Sequence, residues 1–301
     1  MLLTQWPFSE RRRYAVAFDF PRASSLKPRS QDDESLCAHA VSLTDIGRKR
    51  KNNEDNYLVF PLDGKAPSQT HEEPALSLNP PGLLLAVADG MGGHHSGDVA
   101  SLLCMQHLGP ELTKRLPERR APRQEISVSL REAVEATHQI IYHKSRLERQ
   151  HEGMGSTLTA AIIERRRVFV AQVGDSRAYI FHKGTLTALT EDQTLGNLFR
   201  VAKSSVLAGR AHDILTQAMG AQPELRVAVT QADLAPSDFL LLCSDGLYKE
   251  VQPSEIVEIL GGQIPLGAKA EALIARANEN GGSDNVTVVL AQILPPSGPA
   301  A

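Results

Sequence analysis

The stretch Leu83-Leu84-Leu85-Ala86-Val87-Ala88-Asp89-Gly90 indicates most about how this chain folds. Its six leading apolar residues predict a core strand, and the run ends abruptly in an acid beside a glycine. A lone carboxylate at the rim of a core is costly to bury. Such an acid therefore needs either a turn that is open to water or a neighbouring cation.

The same junction of an apolar run, an acid and a glycine recurs along the sequence. The other examples are Val173-Gly174-Asp175, Ser244-Asp245-Gly246 and, with the apolar run following, Gly282-Ser283-Asp284. Any one of these is explained better as a simple turn, but their repetition favours a shared purpose. Aspartate and backbone carbonyl oxygens suit Mg²⁺ or Mn²⁺, and a neighbouring glycine lets a carbonyl approach the ion.

A second group of charges lies upstream, between Asp45 and Asn56. It places Arg48 and Arg50 close to Glu54 and Asp55, just before a predicted strand. Arginine binds phosphate in a planar, bidentate manner, so cations beside carboxylates suit an anion that lies next to metal ions. Taken alone, this segment is explained slightly better as a charged surface loop.

The composition excludes several classes of protein. In 301 residues, Lys and Arg number 32 and Asp and Glu 35, and the net charge of −3 argues against a nucleic-acid binder. Cys37, Cys104 and Cys243 are far apart, which indicates free thiols in a reducing compartment. No apolar run approaches the ~20 residues of a membrane span, and no signal peptide is visible, so we expect a cytoplasmic protein.

Apolar runs predict strands and helices that stand in separate blocks. The predicted strands are 56–60, 82–88, 157–163, 168–173, 178–182, 239–243 and 285–293, and the predicted helices are 97–115, 126–149, 254–260 and 268–278. Residues 14–18 could add a short strand. Because helices stand between blocks of strands, the order predicts an α+β fold rather than a βαβ alternation.

Other catalytic motifs are absent from the sequence. It contains no GxxxxGK[ST] phosphate loop, no GxSxG nucleophile elbow and no HExxH zinc motif. His94 and His95 are adjacent, so they cannot easily face one metal ion together and are interpreted as loop residues.

A set of short motifs occurs in a fixed order along residues 40–293. They are Asp45-Ile46-Gly47 with Arg50 and Asn53-Glu54-Asp55, Ala88-Asp89-Gly90-Met91-Gly92-Gly93-His94, Gly153-Met154-Gly155-Ser156-Thr157, Val173-Gly174-Asp175-Ser176-Arg177-Ala178-Tyr179, Leu242-Cys243-Ser244-Asp245-Gly246-Leu247 and Ser283-Asp284-Asn285-Val286-Thr287. In this order the chain resembles the metal-dependent serine/threonine protein phosphatases of type 2C, in their bacterial branch. Each motif alone is weak, whereas the ordered set is specific.

The resemblance implies an architecture and a division of the chain. The implied fold is a four-layer α/β/β/α sandwich, in which helices flank two antiparallel sheets. The phosphatase domain is expected over residues 37–294. Residues 1–36, rich in Arg, Ser and Pro, form an N-terminal extension that could dock a partner or be disordered, and residues 295–301 form a flexible tail.

The resemblance also implies a site for two Mn²⁺ or Mg²⁺ ions. By motif position, the implied metal ligands are Asp89, the Gly90 carbonyl, Asp245 and Asp284, and Asp175 with Asp245 corresponds to a third, weaker metal position. Arg50 would hold the phosphoryl group, while Glu54 and Asp55 would support metal-bound waters. No cysteine or serine nucleophile is required by such a site.

The implied activity is hydrolysis of phosphoserine and phosphothreonine on proteins, opposing a cognate bacterial Ser/Thr kinase. We expect a monomer whose partners are phosphorylated proteins. Two alternatives use the same fold: a non-catalytic regulatory module, and a partner-switching phosphatase that acts on an anti-sigma antagonist. Degenerate regulatory members normally lose metal carboxylates, and this sequence retains them.

Three positions depart from the pattern of the family. Met91 stands where many eukaryotic members have a histidine, so a water is expected to protonate the leaving group. Lys249 replaces a usual acidic residue near the third metal, and its ammonium should repel a cation there, leaving that ion weak or absent. Residues 192–218 correspond to the flap beside the cleft and do not follow the usual sequence, so substrate choice transfers least.

Overall fold

The computed structural model describes residues 16–17, 36–63, 76–91, 96–116, 123–201 and 213–295. His94, His95, the tail after residue 295 and most of the expected N-terminal extension lie outside the described residues. Of the extension, Leu36 is fully buried in the core, and Val16–Ala17 forms a short strand within the expected 14–18.

The strands of the described residues form two sheets. The strands are β1 Val16–Ala17, β2 Cys37–Asp45, β3 Asp55–Pro61, β4 Leu76–Ser77, β5 Leu83–Met91, β6 Gly155–Ser156, β7 Leu158–Glu164, β8 Arg167–Val173, β9 Arg177–His182, β10 Thr185–Ala188, β11 Ala228–Asp233, β12 Phe239–Cys243 and β13 Val286–Leu294. One sheet has the order β1-β10-β9-β12-β13-β2-β4 and the other β11-β8-β7-β5-β3, with the short β6 paired to the end of β5. The pairing is antiparallel except between β1 and β10, which run parallel.

The helices lie outside the two sheets. They are α1 Gly97–Thr113, α2 Arg123–Leu147, α3 Leu195–Val201, α4 Asp245–Tyr248, α5 Pro253–Gly261 and α6 Leu266–Glu279, with a 3-10 turn at Arg149–His151. α1 and α2 pack on the sheet that contains β5, whereas α5 and α6 pack on the sheet that contains β12. The expected four-layer α/β/β/α sandwich is therefore confirmed.

β5 shows why its sequence is a continuous apolar run. Leu83, Leu85 and Val87 face the opposite sheet, while Leu84 and Ala86 face α1 and α2. Successive strand side chains point to opposite faces, and both faces of β5 are covered. Every position from 83 to 88 is fully buried.

The predicted strands and helices all occur, with ends that differ by a few residues. The strands β2, β4, β6, β10 and β11 and the helices α3 and α4 were not expected from the sequence. β2 mixes apolar and polar residues, but it pairs with β13 over nine positions, from Cys37↔Leu294 to Asp45↔Val286. β11 is a largely exposed edge strand, so its sequence lacks the apolar signal of a core strand.

None of the helices in the described ranges is both long enough and apolar enough to cross a lipid bilayer.

Candidate metal centre

Strand direction brings the expected acids to one end of the two sheets. Asp55 begins β3 and Asp89 lies near the end of β5, and the two are direct cross-strand partners. β8 runs in the same direction as β5 because both pair antiparallel with β7, so Asp175 follows β8 at this same end. In the other sheet, Asp245 follows β12 and Asp284 precedes its antiparallel neighbour β13.

Asp55 is a buried carboxylate with one satisfied oxygen. Its Oδ2 accepts a hydrogen bond from the Ser244 hydroxyl at 2.6 Å, whereas Oδ1 has no hydrogen-bond partner. Burial raises the pKa of Asp55 to about 7, although the bond from Ser244 opposes this shift. A buried carboxylate oxygen without a hydrogen-bond partner is stabilised either by a nearby cation or by a proton.

Asp89 is fixed through its backbone, which leaves its side chain free to face the other acids. Its N–H donates to Thr157 Oγ1 at 2.9 Å, and its carbonyl accepts from the Thr157 N–H at 2.9 Å and from the Ser156 hydroxyl at 3.0 Å. Burial raises the pKa of Asp89 well above its usual value, and the charge of Asp55 raises it further.

Asp245 and Asp175 stand beside each other at the ends of β12 and β8. Asp245 is only 8% exposed; its Oδ2 accepts from Lys249 Nζ at 2.7 Å, while its Oδ1 has no partner. Burial and the charge of Asp245 raise the pKa of Asp175 to about 7, although Lys249 and a hydrogen bond from the Tyr248 hydroxyl act against this. Both acids thus already have a neighbouring donor on or just after α4.

Asp284 forms an ion pair with Arg50, the arginine that is expected to hold the phosphoryl group. Arg50 Nη2 lies 2.6 Å from Asp284 Oδ2, and this bond raises the pKa of Arg50. The guanidinium remains half exposed at the edge of the acid cluster. Arg50 is therefore close to the carboxylates and still accessible to an anion from solvent.

Two glycines let backbone and carboxylate meet at the start of α1. A Cβ on Gly90 would lie 2.2 Å from the Gly97 carbonyl oxygen. A Cβ on Gly97 would lie 2.7 Å from Glu54 Oε2 and 2.9 Å from the Gly90 carbonyl oxygen. Glu54 and the Gly90 carbonyl thus share a small cradle that any side chain at position 97 would fill.

Asn285 and Ser244 hold the site together. Both lie within the sequence motifs, but the sequence alone indicated no role for them. Asn285 Nδ2 donates to the carbonyls of Ile46 and Asn52 at 3.0 and 2.9 Å, and its Oδ1 accepts from the Glu54 N–H at 2.9 Å. This single buried amide therefore joins the loop that carries Arg50 and Glu54 to the start of β13. Ser244, through its bond to Asp55, links the two sheets.

Gly97 also had no assigned role, and its signal in the sequence is only that a glycine opens a predicted helix. Among the sequence-predicted residues, Arg50, Glu54, Asp55, Asp89, Gly90, Asp175, Asp245 and Asp284 all lie in the described part of the chain and at the same end of the sheets.

The donor set fits divalent cations, although some of its carboxylates are held by basic side chains. Within the described ranges, no three Asp, Glu, His or Cys side chains converge closely enough to hold an ion as they stand. Asp284 and Asp245 are instead paired with Arg50 and Lys249. The unpartnered Oδ1 atoms of Asp55 and Asp245, together with the Gly90–Gly97 cradle, are the features that an oxygen-seeking cation would satisfy.

Comparison with known proteins gives a consistent result. The family described as Protein phosphatase 2C matches residues 74–291. The serine/threonine phosphatase stp of Listeria welshimeri is 36% identical over 261 residues, which cover 84% of this chain and 95% of that protein.

Solved structures agree with this match. The serine/threonine phosphatase of S. agalactiae superposes with a TM-score of 0.73 at 30% identity, covering 85% of this chain and 99% of that one. The catalytic domain of the phosphatase PstP in complex with two manganese ions gives a TM-score of 0.66 at 33% identity, covering 86% and 99%. The resemblance noted in the sequence is confirmed: the chain belongs to the protein phosphatase 2C family of serine/threonine phosphatases.

Proposed function

We propose that this chain hydrolyses phosphoserine and phosphothreonine on proteins with the help of two Mn²⁺ or Mg²⁺ ions. The ions would be held by Asp89, the Gly90 carbonyl, Asp245 and Asp284. The observation that carries the proposal is the collection of five acids at one end of two sheets, with Arg50 at its edge. When bound, the ions would lower the pKa of a water and so supply the nucleophile at neutral pH.

The chain's own groups would position the other reactants. Arg50 is exposed enough to leave Asp284 and bind the phosphoryl oxygens, where its charge would stabilise the transition state. Glu54 and Asp55 would accept hydrogen bonds from waters in the site. The water oxygen forms the new bond to phosphorus, the ester bond to the serine or threonine oxygen breaks, and that oxygen takes up a proton.

The cysteines do not offer an alternative nucleophile. Burial raises the pKa of Cys104 to about 12 and that of Cys243 to about 12, so both remain thiols at neutral pH. Cys37 begins β2, whose other end, Asp45, pairs with Val286 close to Asp284; nine residues of strand place Cys37 roughly 26 Å from Asp45. Direct attack by water, without a phosphoenzyme, is therefore the reaction that this site supports.

The biological setting follows from the same proposal. The enzyme would oppose a bacterial Ser/Thr kinase, acting as a monomer on phosphorylated proteins. The buried Cys104 and Cys243 are free thiols, as suits a cytoplasmic enzyme. A non-catalytic module would have no use for the retained carboxylates, whereas a partner-switching phosphatase would share this chemistry and differ only in its substrate.

The decisive experiment compares Asp245→Asn with the wild type on a phosphothreonine peptide and on p-nitrophenyl phosphate. With Mn²⁺ we expect wild-type turnover that EDTA abolishes, and a loss of at least about 100-fold in kcat for Asp245→Asn, because a metal-binding charge is removed. Asp233→Asn is the matched control, since Asp233 on β11 forms an exposed ion pair with Arg167 on β8.

Circular dichroism should show that both variants remain folded. If the wild type hydrolyses neither substrate with Mn²⁺ or Mg²⁺, the proposed function is wrong.

A further inference from the structure

The stretch of chain that follows Asp245 also reaches the loop that ends in Asp284. This glycine loop, residues 280–284, connects the end of α6 to β13. Asp245 opens α4, and the chain leaves this helix through Lys249 and Glu250. Two of the expected metal ligands therefore stand on separate segments, and a contact between the segments bears on how far apart the two carboxylates lie.

The side chain of Glu250 makes such a contact. Its Oε1 accepts a hydrogen bond from the Ser283 N–H at 3.1 Å, across 33 positions of the chain. Ser283 is the residue directly before Asp284. A hydrogen bond from a backbone N–H to a carboxylate is stronger than one between neutral groups. Glu250 therefore holds the backbone of the glycine loop one residue away from an expected metal ligand.

Close packing brings the rest of the glycine loop against α4 and the residues after it. Asn280 Nδ2 donates to the Glu250 carbonyl at 2.9 Å. Gly281 has a φ of +150°, and a Cβ at this position would lie 2.8 Å from Glu250 Oε2. A Cβ on Gly246 would collide with the Asn285 carbonyl oxygen. The loop thus follows α4 closely from its start to the residue that binds Ser283.

The opposite side of the glycine loop faces the segment that carries Arg50. The Arg48 N–H donates to the Gly282 carbonyl at 2.8 Å, and the Asp284 carboxylate pairs with Arg50. The loop therefore lies between this segment and α4. Loss of the hydrogen bond from Ser283 to Glu250 would free the loop on the α4 side, while the contacts with Arg48 and Arg50 would remain.

We propose that Glu250 is a positioning residue of the metal centre: by accepting the Ser283 N–H it holds Asp284 at a fixed place relative to Asp245. This inference rests on the proposed function and adds to it a residue that is not itself an expected metal ligand. A loop that moves away for part of the time presents the complete set of ligands only for the remaining fraction. The apparent affinity for metal then falls in proportion to that fraction.

The test compares Glu250→Met with Glu250→Gln by calorimetric titration of the metal-free proteins with Mn²⁺. Methionine has a similar length but offers no oxygen to the Ser283 N–H. We expect its Kd for Mn²⁺ to rise by about tenfold, the lower end of the range for groups that orient metal ligands. Glutamine keeps an oxygen acceptor without the charge, so its Kd should stay close to that of the wild type.

The matched control is Glu271→Met, which removes the same charge from an exposed position on α6. Its Kd for Mn²⁺ should equal that of the wild type. Together with Glu250→Gln, this control separates the hydrogen bond to Ser283 from simple attraction between a negative charge and the ions.

Hydrogen exchange measured without added metal gives a readout independent of activity. Residues 281–285 should exchange faster in Glu250→Met than in the wild type, because the Ser283 N–H loses its acceptor. In Glu250→Gln they should exchange as in the wild type. Exchange in β5 should be the same in all three proteins, which separates a local release of the loop from a general loss of stability.

Turnover of p-nitrophenyl phosphate distinguishes positioning from direct ligation. In Glu250→Met the Mn²⁺ concentration that gives half the maximal rate should rise with the Kd, whereas kcat at saturating Mn²⁺ should stay at the wild-type value. Asp245→Asn removes a ligand and should lower kcat itself.

The inference is wrong if the wild type binds Mn²⁺ and Glu250→Met binds it equally well, if Glu250→Gln binds as weakly as Glu250→Met, or if exchange at 281–285 is unchanged. A wild type that does not bind Mn²⁺ would instead overturn the proposed function, and this inference with it.

Discussion

Asp55 occupies a position in which its charge is unfavourable, and its surroundings restrict what can relieve this. Burial brings its pKa to about 7, so near neutral pH a proton on its unpartnered Oδ1 competes with a cation bound at the neighbouring acids. The Ser244 hydroxyl holds Oδ2 at 2.6 Å and so fixes the direction of the free oxygen. Binding of a cation here should therefore release protons.

His138 on α2 is a buried residue whose ionisation should be measurable apart from the acids. Its Nδ1 accepts a hydrogen bond from the Gly220 N–H at 3.0 Å, next to the Met219–Ser156 bridge. This bond requires an unprotonated Nδ1, and burial lowers the pKa of His138 below its usual 6.5. The folded state thus takes up the His138 proton at a lower pH than the unfolded state does.

We predict that His138→Gln reduces the loss of stability on acidification. A histidine with a lowered pKa contributes stability above about pH 6.5 that is lost as pH falls through its folded pKa. The free energy of unfolding of the wild type should therefore fall more steeply below pH 6.5 than that of His138→Gln, by at most about 1.4 kcal/mol per pH unit. Urea unfolding between pH 5 and 7.5 measures this difference.

The matched control is His143→Gln, which changes an exposed histidine on the same helix and should leave the pH dependence as in the wild type. Parallel curves for the wild type and His138→Gln would contradict the assignment.

At the scale of elements, β5 was predictable because its signal is local. Both of its faces are buried, so six consecutive apolar residues followed by Asp89 identify the strand and its functional end. β2 was not predictable in this way, because its place depends on β13, which lies more than 200 residues away in the chain.

The acids of the site were likewise predictable, and the groups that orient them were not. An acid after an apolar run is visible in the sequence at Asp89, Asp175 and Asp245. Asn285 donates hydrogen bonds to the carbonyls of Ile46 and Asn52, which lie more than 230 residues before it in the chain. Its role therefore appears only in the folded chain. The partner of Lys249 at Asp213 is equally a product of folding.

The start of α1 yields a prediction about packing between elements. Gly97→Ala should lower the free energy of unfolding by about 1–3 kcal/mol, because its Cβ would press on the Gly90 carbonyl and on Glu54 Oε2. It should also weaken Mn²⁺ binding by displacing these two groups. Urea unfolding and Mn²⁺ titration of the variant check the two effects.

Gly267→Ala is the matched control, in the first turn of α6, where an added Cβ meets nothing within 4 Å. Alanine there should raise stability by about 0.4–1 kcal/mol without altering Mn²⁺ affinity. Equal effects of the two substitutions would show that the Gly90–Gly97 contact has no special role.

For the whole molecule, several of the acids that contribute to the net charge of −3 lie together in the folded chain. Asp55, Asp89 and Asp175 lie with Asp245 at one end of the two sheets, where burial and the charge of Asp245 raise the pKa values of the other three. The unfolded chain separates these acids widely in sequence. Divalent cations should therefore bind the folded state in preference and stabilise it in proportion to their concentration.

Two divalent ions should bind, because the ammonium of Lys249 lies beside the position expected for a third metal ion. Lys249 Nζ is 2.7 Å from Asp245 Oδ2, and like charges about 4 Å apart repel by about 4 kcal/mol per unit charge at an effective dielectric constant of 20. Equilibrium dialysis with Mn²⁺ should saturate near two ions for the wild type and below two for Asp245→Asn.

Lys249→Asp, which reverses the charge beside Asp175 and Asp245, should admit a third ion. At one hundred times the Kd of that ion, its binding should add up to about 2.7 kcal/mol to the free energy of unfolding. Three tightly bound ions in the wild type would show that the lysine does not exclude a cation.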